Sequence, residues 1–134
     1  MTSSPLTFPA GIITKDSPHS FEATVSKLTE LAMDRGMKIF AVIDQSAEAR
    51  NVGLDLRPTT LVLFGNPAAG TPIMEAAPLA ALELPLKVLV WADGDRTHLS
   101  YVAPRTLADR YSLEDDLVAN LAGIELLTDA LVSP

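Results

Sequence analysis

The sequence predicts an α+β fold with one mostly antiparallel sheet and two long helices on one of its faces. Three observations predict it. One amphipathic helical pattern lies near the start of the chain and another at its end, with strand-like apolar runs between them. Those central runs follow one another without a second long helix, which argues against an alternating βαβ order and a parallel sheet. An Asp93-Gly94-Asp95 turn separates two of the runs and is the strongest short-range hairpin signal in the chain.

Taken in order, Ile12-Ile13-Thr14 reads as a short first strand. Asp16 or Ser17 then offers a helix N-cap, with Pro18 at the first helical position. Phe21, Val25, Leu28, Leu31 and Ala32 recur at helical spacing, and Arg35 and Gly36 suit the C-terminal end, so a helix is predicted from Pro18 to Arg35. MKIFAVID, Met37 to Asp44, is apolar on both faces except at Lys38, which predicts a central or covered strand. Gln45 to Arg57 is polar with scattered Ala, Val and Leu, and predicts a short helix and a loop. Thr59 to Phe64 is the third strand.

Phe64 to Met74, FGNPAAGTPIM, then packs two glycines, two prolines, an asparagine and a threonine into one corner. Thr71 is the predicted cap of a short helix that begins at Pro72, carries Glu75 in its first turns and ends at Pro78. Leu86 to Ala92 and Thr97 to Val102 are the fourth and fifth strands, paired antiparallel across the Asp-Gly turn. Pro104 to Arg110 reads as a short helix. Ser112, with Asp115 three residues on, reads as the capping box of the last helix. In that helix Leu117, Leu121, Ile124, Leu127 and Leu131 face the core, and Gly123 weakens the helix locally and lets it lie close to the sheet.

The chain of 134 residues is one domain, 1–134, with 48% hydrophobic residues and no cysteine. Its length and apolar content suffice for a core without staples, and disulfides, thiolate metal sites and cysteine nucleophiles are excluded. A net charge of −7, with only ten scattered Lys and Arg residues, argues against a nucleic-acid partner. From Tyr111 to Pro134 the charged residues are all acidic, which suits a solvated helix face. No apolar run has the length of a membrane span, the first residues have no basic segment of a secretory signal, and the chain reads as cytoplasmic with no membrane partner.

The FGNPAAGT corner is the leading candidate site. Asn66 and Gly70 can both take positive φ and Pro67 fixes the turn between them, so backbone N–H groups could converge on an anion or carboxylate, with Thr71 adding donors. The alternative is that these residues only turn a strand into a helix. The spacing fits neither a phosphate-binding P-loop nor a dinucleotide fingerprint. Asp44, at the end of an apolar strand, is a candidate base if desolvated and a cap if not. Glu75 is a second candidate base. Lys87 alternates with apolar neighbours and can pair with an acid. Trp91 and Tyr101 lie on neighbouring strands, as a cross-strand aromatic pair or as pocket walls. His19 reads as exposed and His98 lies near a hairpin tip; their separation gives no metal-ligand spacing, and neither a metal nor a cofactor is expected.

The stretches Gly53 to Met74 and Leu82 to Asp95, GLDLRPTTLVLFGNPAAGTPIM and LELPLKVLVWADGD, resemble the domain-of-unknown-function family 302. The shared features are an FGNP-x-x-GT-P-hydrophobic-M motif and a downstream LPLK segment leading into a tryptophan. The resemblance covers nearly the whole chain. It implies a strand–helix–four strands–helix fold similar to one repeat of the TATA-binding protein, and a homodimer, and it implies no established activity. Two positions depart from the pattern. Gln45 follows Asp44 where family members often have histidine, and Val102 follows Tyr101 where many have asparagine. The sequence thus supports a noncatalytic homodimeric domain that binds a small acidic ligand or partner through Asp44, Gly65, Asn66, Gly70, Thr71, Lys87 and Trp91. Two alternatives stand beside it: a small enzyme with Asp44 or Glu75 as general base, and a structural domain with the loop at a dimer interface.

Overall fold

A computed structural model describes residues 9–133. The strands are β1 (Ile12–Ser17), β2 (Lys38–Asp44), β3 (Thr59–Gly65), β4 (Leu86–Asp93) and β5 (Arg96–Val102). They form one sheet in the order β1-β5-β4-β3-β2, with every neighbouring pair antiparallel. Strands β2 to β5 are a simple meander. The chain reaches it from β1 by crossing the sheet along α1 (Phe21–Asp34), which carries it from one edge to the other.

The α+β order is as the sequence predicts. Leu28 and Ala32 of α1 and Ile124, Leu127 and Leu131 of the last helix share one core with Val62, Val88, Val90, Leu99 and Tyr101 of the sheet, so both helices cover the same face. Lys15 ties β1 to that last helix, donating to Thr128 Oγ1 at 2.7 Å and pairing with Asp129 at 2.7 Å. Burial pulls the Lys15 ammonium down, but Asp129 and Tyr101 outweigh it and hold its pKa above the usual lysine value.

Several boundaries differ from the predicted ones. β1 runs on to Ser17, because Asp16 and Ser17 pair with His98 and Thr97 of β5. The α1 cap is therefore Ser20, whose side chain accepts from Ala23 N at 3.2 Å, and Pro18 lies outside the helix. Its predicted end is correct: Gly36, at φ 76°, follows the Arg35 C-cap and donates to Met33 O. β2 is an edge strand rather than a central one, and leaves Phe40 45% and Val42 49% exposed beside a bulge between Ile39 and Ala41. After β2 come the predicted short helix, α2 (Gln45–Asn51), and a loop.

The chain after β5 is also divided differently. α4 (Pro104–Arg110) forms as predicted, but Ser112 is at φ 53° and ends it, with Leu113 N donating to Ala108 O at 2.8 Å. The predicted long last helix is broken into α5 (Asp115–Val118), a 3-10 turn at Ala119–Leu121, and α6 (Gly123–Val132). Leu121 and Leu117 leave the main core and pack with Ile73, Ala80 and Leu107 in a second, smaller cluster at the end of the sheet. No helix among the described residues is long and apolar enough to cross a membrane.

Candidate functional site

The FGNPAAGT segment is already helical over most of its length. α3 spans Pro67–Ala76, so it starts five residues before the predicted Pro72, and its cap is Asn66, not Thr71. Pro67 is at the first position, where its missing N–H costs nothing. Asn66 is at φ −115° and Gly70 is not among the positive-φ residues, so neither takes the left-handed conformation expected of it. Pro72 lies inside the helix and Glu75 in its last turn, exposed.

This geometry uses up the backbone donors that could have cradled an anion. Ala68 N donates to Asn66 Oδ1 at 2.9 Å, and Ala69 N and Gly70 N both donate to Asn66 O at 2.9 Å. With Pro67 lacking an N–H, the first turn of α3 has no backbone donor left over. Read as backbone chemistry alone, the loop is a corner.

The space beside the corner is not filled. A cleft of about 590 Å³ opens between α3, the starts of β2 and β4, and the turn before α6. That volume lies in the range of small-molecule sites. Gly65, Asn66, Gly70 and Thr71 line it, as do Met37 and Phe40 on one side and Met74, Leu84 and Leu86 on the other. Asn120 closes one end and donates from Nδ2 to Ala69 O at 3.0 Å. The lining is mostly apolar, and Arg35, at the C-cap of α1, is its one ionisable side chain among the described residues.

Two glycines keep this cleft open without being required by the backbone. Gly70 lies inside α3, where glycine costs about 1 kcal/mol relative to alanine. A Cβ there would meet only the tips of Leu84 and Met74, at 3.6 and 3.9 Å, which are ordinary contacts. A Cβ on Gly65 would come no closer than 3.8 Å to Pro85. Gly11 shows the contrast: it is at φ 83°, and a Cβ would fall 2.8 Å from Thr106. Gly123 has a different reason from the predicted one, since its Cβ would stand 3.1 Å from Met37 Cε, and the close approach it permits is to that methionine.

Asp44, Lys87 and Trp91 lie away from the cleft. Asp44 is exposed and caps α2; its Oδ1 accepts from Ala47 N at 2.9 Å and from Ser46 Oγ at 3.0 Å. Those bonds, the Ala47 one foremost, hold its carboxyl below the usual aspartate value, the opposite of a desolvated base. Lys87 Nζ donates to Glu83 O at 3.2 Å. Glu83 in turn accepts from Tyr111 Oη at 2.6 Å and Arg110 at 3.2 Å, and its carboxyl is held below the usual glutamate value, chiefly by the tyrosine.

Trp91 and Tyr101 are not a pair, because they point to opposite faces of the sheet. Tyr101 is in the helix-covered core, whereas Trp91 is opposite His98, with ring centroids 4.5 Å apart. Trp91 Nε1 donates to Ser100 Oγ at 3.0 Å, and His98 Nδ1 lies 2.6 Å from Asp16 Oδ1. His98 is 4% exposed and His19 is half-buried rather than exposed. Among the described residues no group of three or more His, Asp or Glu could hold a metal ion.

The residues the sequence reading missed are Arg35, Met37, Phe40, Leu84 and Asn120. They come from three separate stretches, and only the fold brings them together. Arg35 carried a legible signal, but as a helix-end cation.

The family profile described as domain of unknown function DUF302 matches residues 13–131. The chain belongs to that family. It is 38% identical over 105 residues to proteins named fluoride-specific ion channel FluC 1 in Brucella suis and in Brucella abortus, a stretch covering 78% of this chain. The chain spans about two-fifths of the length of those relatives, 41% and 39%. In three dimensions it is similar to the crystal structure of a DUF302 protein from Bacillus stearothermophilus, with a TM-score of 0.78 at 20% identity, covering 92% of this chain and 97% of that one. That likeness agrees with the fold.

Proposed function

We propose that this chain is a noncatalytic small-molecule-binding domain whose ligand occupies the cleft beside Gly65, Asn66, Gly70 and Thr71. The observation that carries the reading is Gly70: a helical glycine that neither φ nor crowding demands, at a cost in helix stability, on the wall of an open apolar cleft. The lining supports binding over catalysis, since it offers apolar surface and one cation and no base. Asp44, Lys87 and Trp91 fall outside the ligand contact in this reading. In this reading the protein works in the cytoplasm.

The same reading makes the protein a homodimer through the β2 edge. Its support is the exposed Phe40 and Val42 on an edge strand that pairs only with β3 among the described strands, together with Met33, 55% exposed. Phe40 also lines the cleft, so a partner copy along β2 would cover one wall of it.

Native mass spectrometry of the purified protein, set beside its denatured mass, tests both parts. A dimer that carries a reproducible extra mass, lost in Gly70→Leu, is the expected result. An empty protein that acquires no mass from a metabolite extract would overturn the binding reading, and a monomer at micromolar concentration would overturn the dimer.

A further inference from the structure

We infer that the ligand of this cleft is a single-chain amphiphilic anion, an apolar chain ending in one carboxylate, with its head on Arg35. The inference rests on the binding reading above and names the ligand's chemistry. It comes from what the cleft offers and from what it has already used. The backbone donors at the start of α3 are all consumed by Asn66. Asn120 spends a side-chain donor on Ala69 O. That leaves Arg35 as the cation among the lining residues, with Lys38 standing over the Phe40 ring at 5.0 Å, and no hydrogen bond or ion pair joins the Arg35 guanidinium to another described residue. The protein as a whole carries −7, so a cation at the mouth of an apolar cleft is against the general trend of its charge.

The rest of the lining suits a chain rather than a polar metabolite. Met37 and Met74 are unbranched and polarisable and adapt to a flexible apolar body. Phe40, Leu84 and Leu86 add apolar wall, and the two glycines leave the space for a chain to pass. A sugar or nucleotide would strand most of its hydroxyls against this surface, where besides Arg35 only Asn66, Thr71 and Asn120 carry polar side chains, and each buried hydroxyl without a partner costs about 1–3 kcal/mol. A carboxylate on an arginine gains a charge-assisted, two-pronged contact instead.

Arg35 also suits the negative end of the α1 dipole, and a cation there can serve the helix alone. The test separates the two roles. With the methionine methyls labelled with carbon-13, decanoate and decanol are titrated into the protein and into Arg35→Gln, and Met33, outside the cleft, is the internal control. The expected result is that decanoate shifts the Met37 and Met74 signals and not Met33. It should bind roughly five- to tenfold tighter than decanol, a preference that disappears in Arg35→Gln. If Arg35 serves only the helix, the variant melts earlier and the ratio of acid to alcohol is unchanged, which overturns the inference. Equal binding of acid and alcohol overturns it too, while leaving the cleft as a binding site. Shifts confined to residues other than Met37 and Met74 overturn it as well. If neither probe perturbs either methyl, the amphiphile is wrong, and a retained mass in the native spectrum would still uphold the cleft.

Discussion

The two apolar clusters of this molecule are built to opposite ends. In the main core, Leu28, Val62, Phe64, Val88, Val90, Leu99 and Leu127 are each fully buried, and large side chains from α1, α6 and three strands fill the layer between helices and sheet. In the smaller cluster around Ile73, Ala80, Leu107 and Leu121, the neighbouring wall holds glycine and a helix with proline in its interior, and about 590 Å³ stays open beside it. The first region excludes everything but itself. The second accepts weaker local structure, and the difference shows where the chain has kept space that folding alone would have closed.

The largest effect should come from the first region. Phe64→Ala removes a fully buried ring and should cost about 3–5 kcal/mol in a urea melt, with no repair from any ligand of the cleft that survives folding. A loss below about 1 kcal/mol would mean that the core is less tightly packed than its burial implies.

At the cleft the effects are smaller and of mixed sign. Asn66→Ala deletes the cap of α3 and should cost about 1 kcal/mol, whereas Asn66→Asp should keep most of the stability, since a carboxylate can accept the same Ala68 N–H. If both substitutions weaken ligand retention but only Ala lowers the melting point, Asn66 also contacts ligand.

Acid should weaken the contact that Glu83 makes beside the cleft. The folded Glu83 carboxyl titrates below its ordinary 4.5, so its contribution is present above that value and is lost as pH falls through the lower folded value. Tyr111, held above its ordinary 10.0 mainly by Glu83, contributes below that value, and its contribution is lost as pH rises through the higher folded one. Tyr111→Phe should therefore flatten the acid limb of the stability–pH curve relative to wild type. An unchanged acid limb would remove the Glu83–Tyr111 contact from the account.

What was legible in the sequence follows the same division. The main core was readable because Leu28 and Ala32, and Ile124, Leu127 and Leu131, repeat at helical spacing, and because Asp93-Gly94 fixes a hairpin in which Asp93 faces Arg96. That register also places Trp91 opposite His98 and sends Tyr101 to the other face, so the false aromatic pair was avoidable by counting along the strands. The edge position of β2 was not readable: apolar residues on both faces look alike whether a strand is central or presents Phe40 and Val42 outward. The start of α3 was misplaced because Thr71-Pro72 is as good a start signal as Asn66-Pro67, and only the hydrogen bonds to Asn66 decide between them. The corner lies on the wall of the cleft, but the backbone donors expected to cradle a ligand there are spent, and the other residues that shape the cleft lie far apart in sequence.

The central claim, that Gly70 is kept for space and not for the fold, is tested most directly by the thermal melt of ligand-free Gly70→Ala. The account predicts a melting temperature a few degrees higher, from about 1 kcal/mol of added helix stability in a position where a Cβ meets only ordinary contacts. A lower melting temperature would show that the corner itself needs glycine, and the cleft would lose its main support.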